Sequence, residues 1–438
     1  MTLTRRAALL GLPFALAGCG LEDLFGDTKT PIRGKRESIL GSRGGLEIDA
    51  NDTRTVSVPA PTAVAAWPQS GGTATHVLGN IAITGLKPAW SGDIGQGGGY
   101  RAKLTAQPIV LNGTVYTMDS DGMVTAFDLA SGNRHWRADT QGDEDRSTNI
   151  GGGIAVENGT VFATTGRAAA LALEASSGKI LWRKEIGSPA RSGPTLSGGH
   201  MHFTTLDNQL LALNMANGER VWNYGAAAAS TTVLADAAPA ISEGFVVAGF
   251  GSGDLITVRE DSGTLAWSDT LASARGRSSN VDLSAIRALP VIDRGRVFAI
   301  GVGGLLVSLD LRSGRRLWER EIGGGQTPWL AGDWLFVQSL DQSLAAISAD
   351  DGRVRWIQDL PRWENPAKQR DPLFWSGPVM VGGKLILAGT SALAVSVDPV
   401  NGHILGTETL SGGVSISPVA AGGTLLILSD DGSLQAFR

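Results

Sequence analysis

A chain of 438 residues with 60 glycines and 42% hydrophobic residues carries too much apolar material for disorder, and about twice the usual glycine content demands many tight turns. Its formal charge of −5, from 37 basic and 42 acidic side chains, runs against nucleic-acid binding, which requires a concentrated basic face. The single cysteine, Cys19, excludes an intrachain disulfide, a cysteine-based zinc cluster and a c-type haem attachment motif.

The first residues read as an address. Arg5 and Arg6 form a positive n-region, Ala7 to Ala17 a short apolar run, and Leu16-Ala17-Gly18-Cys19 matches the lipobox of bacterial lipoproteins. An apolar run this short does not cross ~30 Å of hydrocarbon as a permanent helix. Residues 1–18 are therefore expected to be a cleaved lipoprotein signal peptide and Cys19 the lipidated N-terminus. A plain Sec leader and a twin-arginine leader both fit Thr4-Arg5-Arg6. Gly20 after the cysteine, in place of aspartate, resembles the sorting signal for the outer membrane. Residues 19–75 follow as a lipid-anchored tether or a wrapping arm. Asp27-Thr28-Lys29-Thr30-Pro31 and Gly34-Lys35-Arg36-Glu37 are polar and turn-forming, and no apolar period persists through them.

From Trp67 onward the chain repeats. A glycine followed four residues later by tryptophan recurs at Gly132/Trp136, Gly178/Trp182, Gly218/Trp222, Gly263/Trp267, Gly314/Trp318 and Gly352/Trp356. A seventh copy, Asn401-Gly402-His403-Ile404-Leu405-Gly406, keeps the turn but has Gly406 where tryptophan is expected, so one interblade contact should be weaker. Each copy holds three short β runs before its tryptophan run. In the first copy these are Pro108–Leu111, Thr114–Met118 and Met123–Phe127, separated by Asn112-Gly113 and Asp121-Gly122. Asn-Gly and Asp-Gly are strong hairpin signals because the central turn residues need positive φ. The unit is a four-stranded antiparallel meander of propeller-blade size. The last copy stops after its third strand, and Leu86–Trp90 lies one repeat step before Trp136. The expected fold is all-β: an eight-bladed β-propeller over residues 76–438, closed by an N-terminal strand that completes the last blade.

The segment Leu305-Leu306-Val307-Ser308-Leu309-Asp310-Leu311-Arg312-Ser313-Gly314-Arg315-Arg316-Leu317-Trp318 resembles the repeat of pyrroloquinoline-quinone-type propellers, and the likeness runs over about residues 76–438. That resemblance implies that Trp136, Trp182, Trp222, Trp267, Trp318 and Trp356 dock blade on blade. Quinoprotein dehydrogenases of this type bring adjacent cysteines, a calcium-binding set and a catalytic aspartate to the central funnel. A lone Cys19 does not supply the pair. Asp143-Glu144-Asp145 is the one tight acidic run and reads as a solvated cluster rather than a calcium site. His200 and His202 alternate on one strand face without an evident third metal ligand, and His76, His135 and His403 are isolated. No nucleophile elbow, P-loop or zincin motif appears. No catalytic residue, metal or cofactor is expected.

With its lipobox and tether, the chain resembles more closely the propeller lipoproteins of the outer-membrane β-barrel assembly (BAM) complex. Pro31, Gly34 and Arg36, followed by Trp67-Pro68-Gln69 and Gly71-Gly72, are similar to the alphaproteobacterial members. The resemblance implies a non-enzymatic scaffold on the periplasmic face of the outer membrane. Its partners would be the POTRA domains of BamA, other BAM subunits and unfolded outer-membrane proteins. It also implies a partner-binding surface on the links into blades four and five, with Val233, Leu234 and Asp236 in the first and Asp282, Leu283, Ile286 and Arg287 in the second. Enterobacterial members carry an Asp-x-Asp pair where this chain has Ala285 and Arg287. A quinone-dependent periplasmic enzyme and another lipid-anchored binding propeller remain the alternatives.

Overall fold

Eight times among the described residues two short β runs meet at a two-residue turn, and in seven of the eight both turn residues have positive φ, as at Asn112 (51°) and Gly113 (75°). This turn geometry matches the right-handed twist of paired strands. The computed structural model describes residues 45–99, 102–142, 149–228, 237–271 and 285–438. The described residues contain no helix. They form eight four-stranded antiparallel sheets, the blades of a β-propeller, and one two-stranded hairpin. Blades 1 to 7 occupy residues 109–138, 152–185, 195–225, 240–270, 291–320, 329–359 and 375–409, and blade 8 begins at 419. The extra hairpin, Trp363–Asn365 with Arg370–Pro372, lies between blades 6 and 7.

Closure is as expected from the repeat count. Pro88–Asp93 pairs antiparallel with Ser433–Phe437, so the N-terminal strand is the outer strand of blade 8. The inner strands are buried and the outer strands more open, as in blade 1, while the outer strand of blade 6 is largely covered, which places the core between neighbouring sheets. Every outer strand carries a bulge at the residue before the tryptophan position: Ala126 faces Trp136 while Phe127 faces Arg134. The extra residue bends the strand and re-aims its side chains.

The tryptophan positions share one ladder across the second, third and outer strands. Tyr116–Ala126–Trp136, Phe162–Ala172–Trp182 and Phe336–Ala346–Trp356 are in direct register. A small central residue lets the indole lie across the sheet towards the aromatic ring, with centroids 6.0 to 6.3 Å apart in these three pairs. Each indole N–H then reaches the next blade. Trp136 donates to the Ala175 carbonyl, Trp182 to Met215, Trp222 to Glu260, Trp267 to Leu311, Trp318 to Ala349 and Trp356 to Pro399, at 2.7 to 3.0 Å. Trp90, on the closing strand, does the same to Leu129 of blade 1.

The repeat glycine serves the preceding blade's tryptophan. A β-carbon at Gly178 would stand 2.5 Å from the Trp136 ring, and one at Gly314 2.6 Å from Trp267. Both glycines also have φ near 70° (75° and 69°), so two independent constraints exclude a side chain.

Residues 67–84 thread beneath the ring and touch the blades in order. Trp67 exchanges backbone hydrogen bonds with Val110 of blade 1, and the Pro68 carbonyl accepts from Val156 of blade 2. The Gln69 side chain accepts from Leu196 of blade 3. Ala74 and Thr75 accept from Ile241 and Ile292 of blades 4 and 5, and Gly79 from the Trp329 indole of blade 6. Ile81 donates to Met380 of blade 7, and Thr84 to Gly423 of blade 8. Trp67 is 1% exposed and stacks on Trp329 at 6.4 Å. This segment caps the channel at the end where the inner strands enter their first hairpins. Upstream, Asp49 N–H donates to Val354, and Arg54 bridges Asp52 and Asp351 on blade 6. The Arg54 guanidinium holds the Asp52 carboxyl down at about 2.

Candidate interaction site

The opposite end of the channel is lined by residues that lead into the inner strands. Lys103, Thr105, Gln107, Arg287, Gln326 and Ser417 surround a cavity of about 360 Å³. A neighbouring cavity of about 320 Å³ shares Arg287, Gln326 and Ser415 and adds Gln338 and Trp375. Two cations, Lys103 and Arg287, therefore project among amides and hydroxyls. Asp430 lies behind this rim: it accepts from the Ser415 hydroxyl at 2.8 Å. Burial pushes its carboxyl up from the ordinary range, against the opposing pull of Ser415 and Lys103.

Arg191 braces the same wall. It is 1% exposed, and its guanidinium donates to the carbonyls of Gly249 and Ile286, linking the channel ends of blades 3, 4 and 5. A buried cation held by carbonyls is costly unless every group is directed, so it rigidifies this side of the mouth. Sequence reasoning missed Arg191, Lys103 and Gln326. They stand in no motif, and only the circular arrangement of the blades gathers residues from positions 103, 191, 287 and 326.

Of the seven residues expected to meet a partner, Val233, Leu234, Asp236, Asp282 and Leu283 lie outside the described residues, as do Cys19 and Asp143-Glu144-Asp145. Arg287 reaches the channel mouth, half-buried, with its aliphatic stem beside Gly325. Ile286, also expected to meet a partner, is instead withdrawn from the surface. It is fully buried in the core shared by blades 4 and 5, and a β-carbon at Gly249 would fall 2.3 Å from it. One register step separates the two side chains, so Arg287 faces the channel while Ile286 faces the sheet.

Two of the histidines, His76 and His202, are structural. His202 is fully buried and takes the aromatic place in the blade 3 ladder, 5.6 Å from Trp222. His76 sits under the ring and donates from Nδ1 to the Pro290 carbonyl at 2.6 Å. Burial holds both imidazoles down at about 4, hence neutral. Among the described residues no three His, Cys, Asp or Glu side chains are placed to hold a metal ion.

A closed ring of tryptophan-docked blades, capped on one face and open on the other, defines a propeller of the pyrroloquinoline-quinone repeat type. The model of the family described as outer membrane protein assembly factor BamB matches residues 120–358. The chain belongs to that family. The BamB of Yersinia pestis is 27% identical over 355 residues, covering 80% of this chain and 88% of its own length. That of Escherichia coli K12 is 28% identical over 357 residues, covering 80% and 88%. The crystal structure of BamB from Moraxella catarrhalis superposes with a TM-score of 0.68 at 19% identity, over 81% of this chain and 99% of that one. The quinohemoprotein alcohol dehydrogenase of Comamonas testosteroni has a TM-score of 0.65 at 14% identity, covering 85% and 80%. These two likenesses show the fold alone.

Proposed function

We infer that this chain is a non-enzymatic assembly factor for outer-membrane proteins, held at the periplasmic face of the outer membrane by a lipid on Cys19. The observation that carries the inference is membership of the BamB family, whose model spans residues 120–358. The lipobox and the polar stretch after it support the anchor. The role proposed is to bind the POTRA domains of BamA, within a complex with other BAM subunits, and to align unfolded outer-membrane proteins for insertion.

The contact surface is the open face of the ring. The links before blades 4 and 5 both join an outer strand to the next inner strand, and Arg287, at the end of the second link, lines the channel mouth. Leu234, Asp282 and Leu283 supply the rest of a small interface with an apolar anchor and a polar rim. A mild-detergent pull-down of the tagged lipoprotein from envelope membranes, read by mass spectrometry, tests this. Recovery of a POTRA-containing subunit is expected, with recovery reduced at least tenfold by Leu234→Asp with Arg287→Glu. Undiminished recovery would place the interface elsewhere, and no such subunit with the wild type would remove the assembly role.

A further inference from the structure

Blade 7 breaks the ladder on both sides of its junction with blade 8. Its register reads Ile386–Ser396–Gly406, with glycine where six earlier blades and the closing strand have tryptophan. Facing it, the position four before Trp90 is Leu86, where every other blade has the glycine that accommodates a neighbour's indole. The two departures are complementary, yet leucine does not replace the missing ring. A cavity of about 270 Å³ remains, walled by Leu86, Ile386, Leu405, Leu425, Ile427 and Phe437, with Lys384, Ser396 and Glu408 supplying the polar part of its lining.

The geometry points to this cavity as a binding site for one aromatic side chain presented by an extended polypeptide segment. It is continuous with the interblade interface that an indole completes at the other seven junctions, so its walls are already shaped for a flat ring. Its size exceeds the roughly 150 Å³ apolar cavity that suffices to bind benzene. A β-carbon built on Gly406 would meet nothing nearer than the Ser396 hydroxyl oxygen at 3.7 Å, which leaves the approach over that glycine open. The strand Ile404–Thr409 is exposed throughout and pairs on one side only. Its bulge is at Leu405, and residues 406–409 beyond it form a regular edge. An added strand has main-chain partners there. A residue opposite Gly406 would lie on the face of Ser396 and Ile386, and an aromatic side chain opposite a strand glycine covers it. Such segments are what an unfolded β-barrel client offers. In that respect the inference rests on the assembly reading above.

The test uses a soluble ten-residue peptide of alternating threonine and polar residues with one central 5-fluorotryptophan, and its alanine counterpart. Fluorine NMR with the full-length protein should show saturable broadening for the first peptide, and the alanine counterpart, which carries no fluorine and is added as a competitor, should displace it at least tenfold more weakly than the same peptide with unlabelled tryptophan does. Gly406→Trp with Leu86→Gly, which restores the repeat pair, should abolish binding at unchanged or raised Tm, whereas Gly406→Trp alone, crowded by Leu86, should abolish it at a lowered Tm. Leu405→Asp, a change at a half-exposed position, should weaken it at least fivefold without unfolding. Equal binding of the two peptides, or binding retained by the filled variants, would overturn the proposal. The filled variants should still recover the POTRA-containing subunit in the pull-down. Failure of the wild type in that pull-down would sink the assembly role while leaving the peptide result to judge the cavity.

Discussion

Substituting Gly314 by alanine probes how blades 4 and 5 dock. Its φ of 69° costs a non-glycine residue about 1–2 kcal/mol. The new methyl would also stand 2.6 Å from the Trp267 ring, and such overpacking costs roughly 1–3 kcal/mol. Gly314→Ala should therefore destabilise by about 2–5 kcal/mol in the wild type. In a Trp267→Gly background the ring is gone and only the backbone cost of about 1–2 kcal/mol should remain. The coupling of about 1–3 kcal/mol is read from a double-mutant cycle of urea unfolding followed by far-ultraviolet circular dichroism. Equal costs of Gly314→Ala in both backgrounds would refute the claim that this glycine exists for the neighbouring tryptophan.

Acid sensitivity follows from His76 and His202, whose folded values of about 4 lie below the ordinary 6.5. The unfolded chain binds the extra protons, so stability is full above pH 6.5 and falls by about 3 kcal/mol per histidine as pH drops to about 4. His202→Phe restores the ring used at Phe162, Phe298 and Phe336. It should raise Tm at neutral pH and remove one histidine's share of the acid loss, and identical pH profiles of variant and wild type would contradict this. Deleting residues 82–90 removes the first half of the outer strand of blade 8 and the Trp90 bond to Leu129, so the cooperative melting transition should disappear; a single sharp transition would show that this part of the closure is dispensable. Cys19→Ala should release the protein from washed membranes, and unchanged membrane retention with an unchanged lipid signal would rule out the anchor.

The channel mouth was only partly legible beforehand. Arg287 could be singled out because the resemblance implies a partner surface on its link, but its neighbour Ile286 was singled out on the same ground and points into the core. Alternation along an extended backbone sends adjacent side chains to opposite sides, and which side is solvent depends on the sheets packed around the link. His200 and His202 posed the same difficulty. Their spacing placed them on one face, yet whether that face held a metal, water or a tryptophan was decided by the register with Trp222.

Sequence alone specified the repeat: turn pairs such as Asn112-Gly113 and the glycine and tryptophan spacing are encoded within a few tens of residues, and counting the copies along the chain gives the blade number and the closing strand. Tertiary structure alone decided what those letters face. Each glycine answers the tryptophan of the preceding blade, residues 67–84 cap the channel by visiting all eight blades, and the paired changes at Gly406 and Leu86, more than three hundred positions apart in the chain, leave a vacancy between blades 7 and 8. Turns obey short-range backbone sterics, whereas these contacts exist only once the ring has closed and brought distant segments within van der Waals reach.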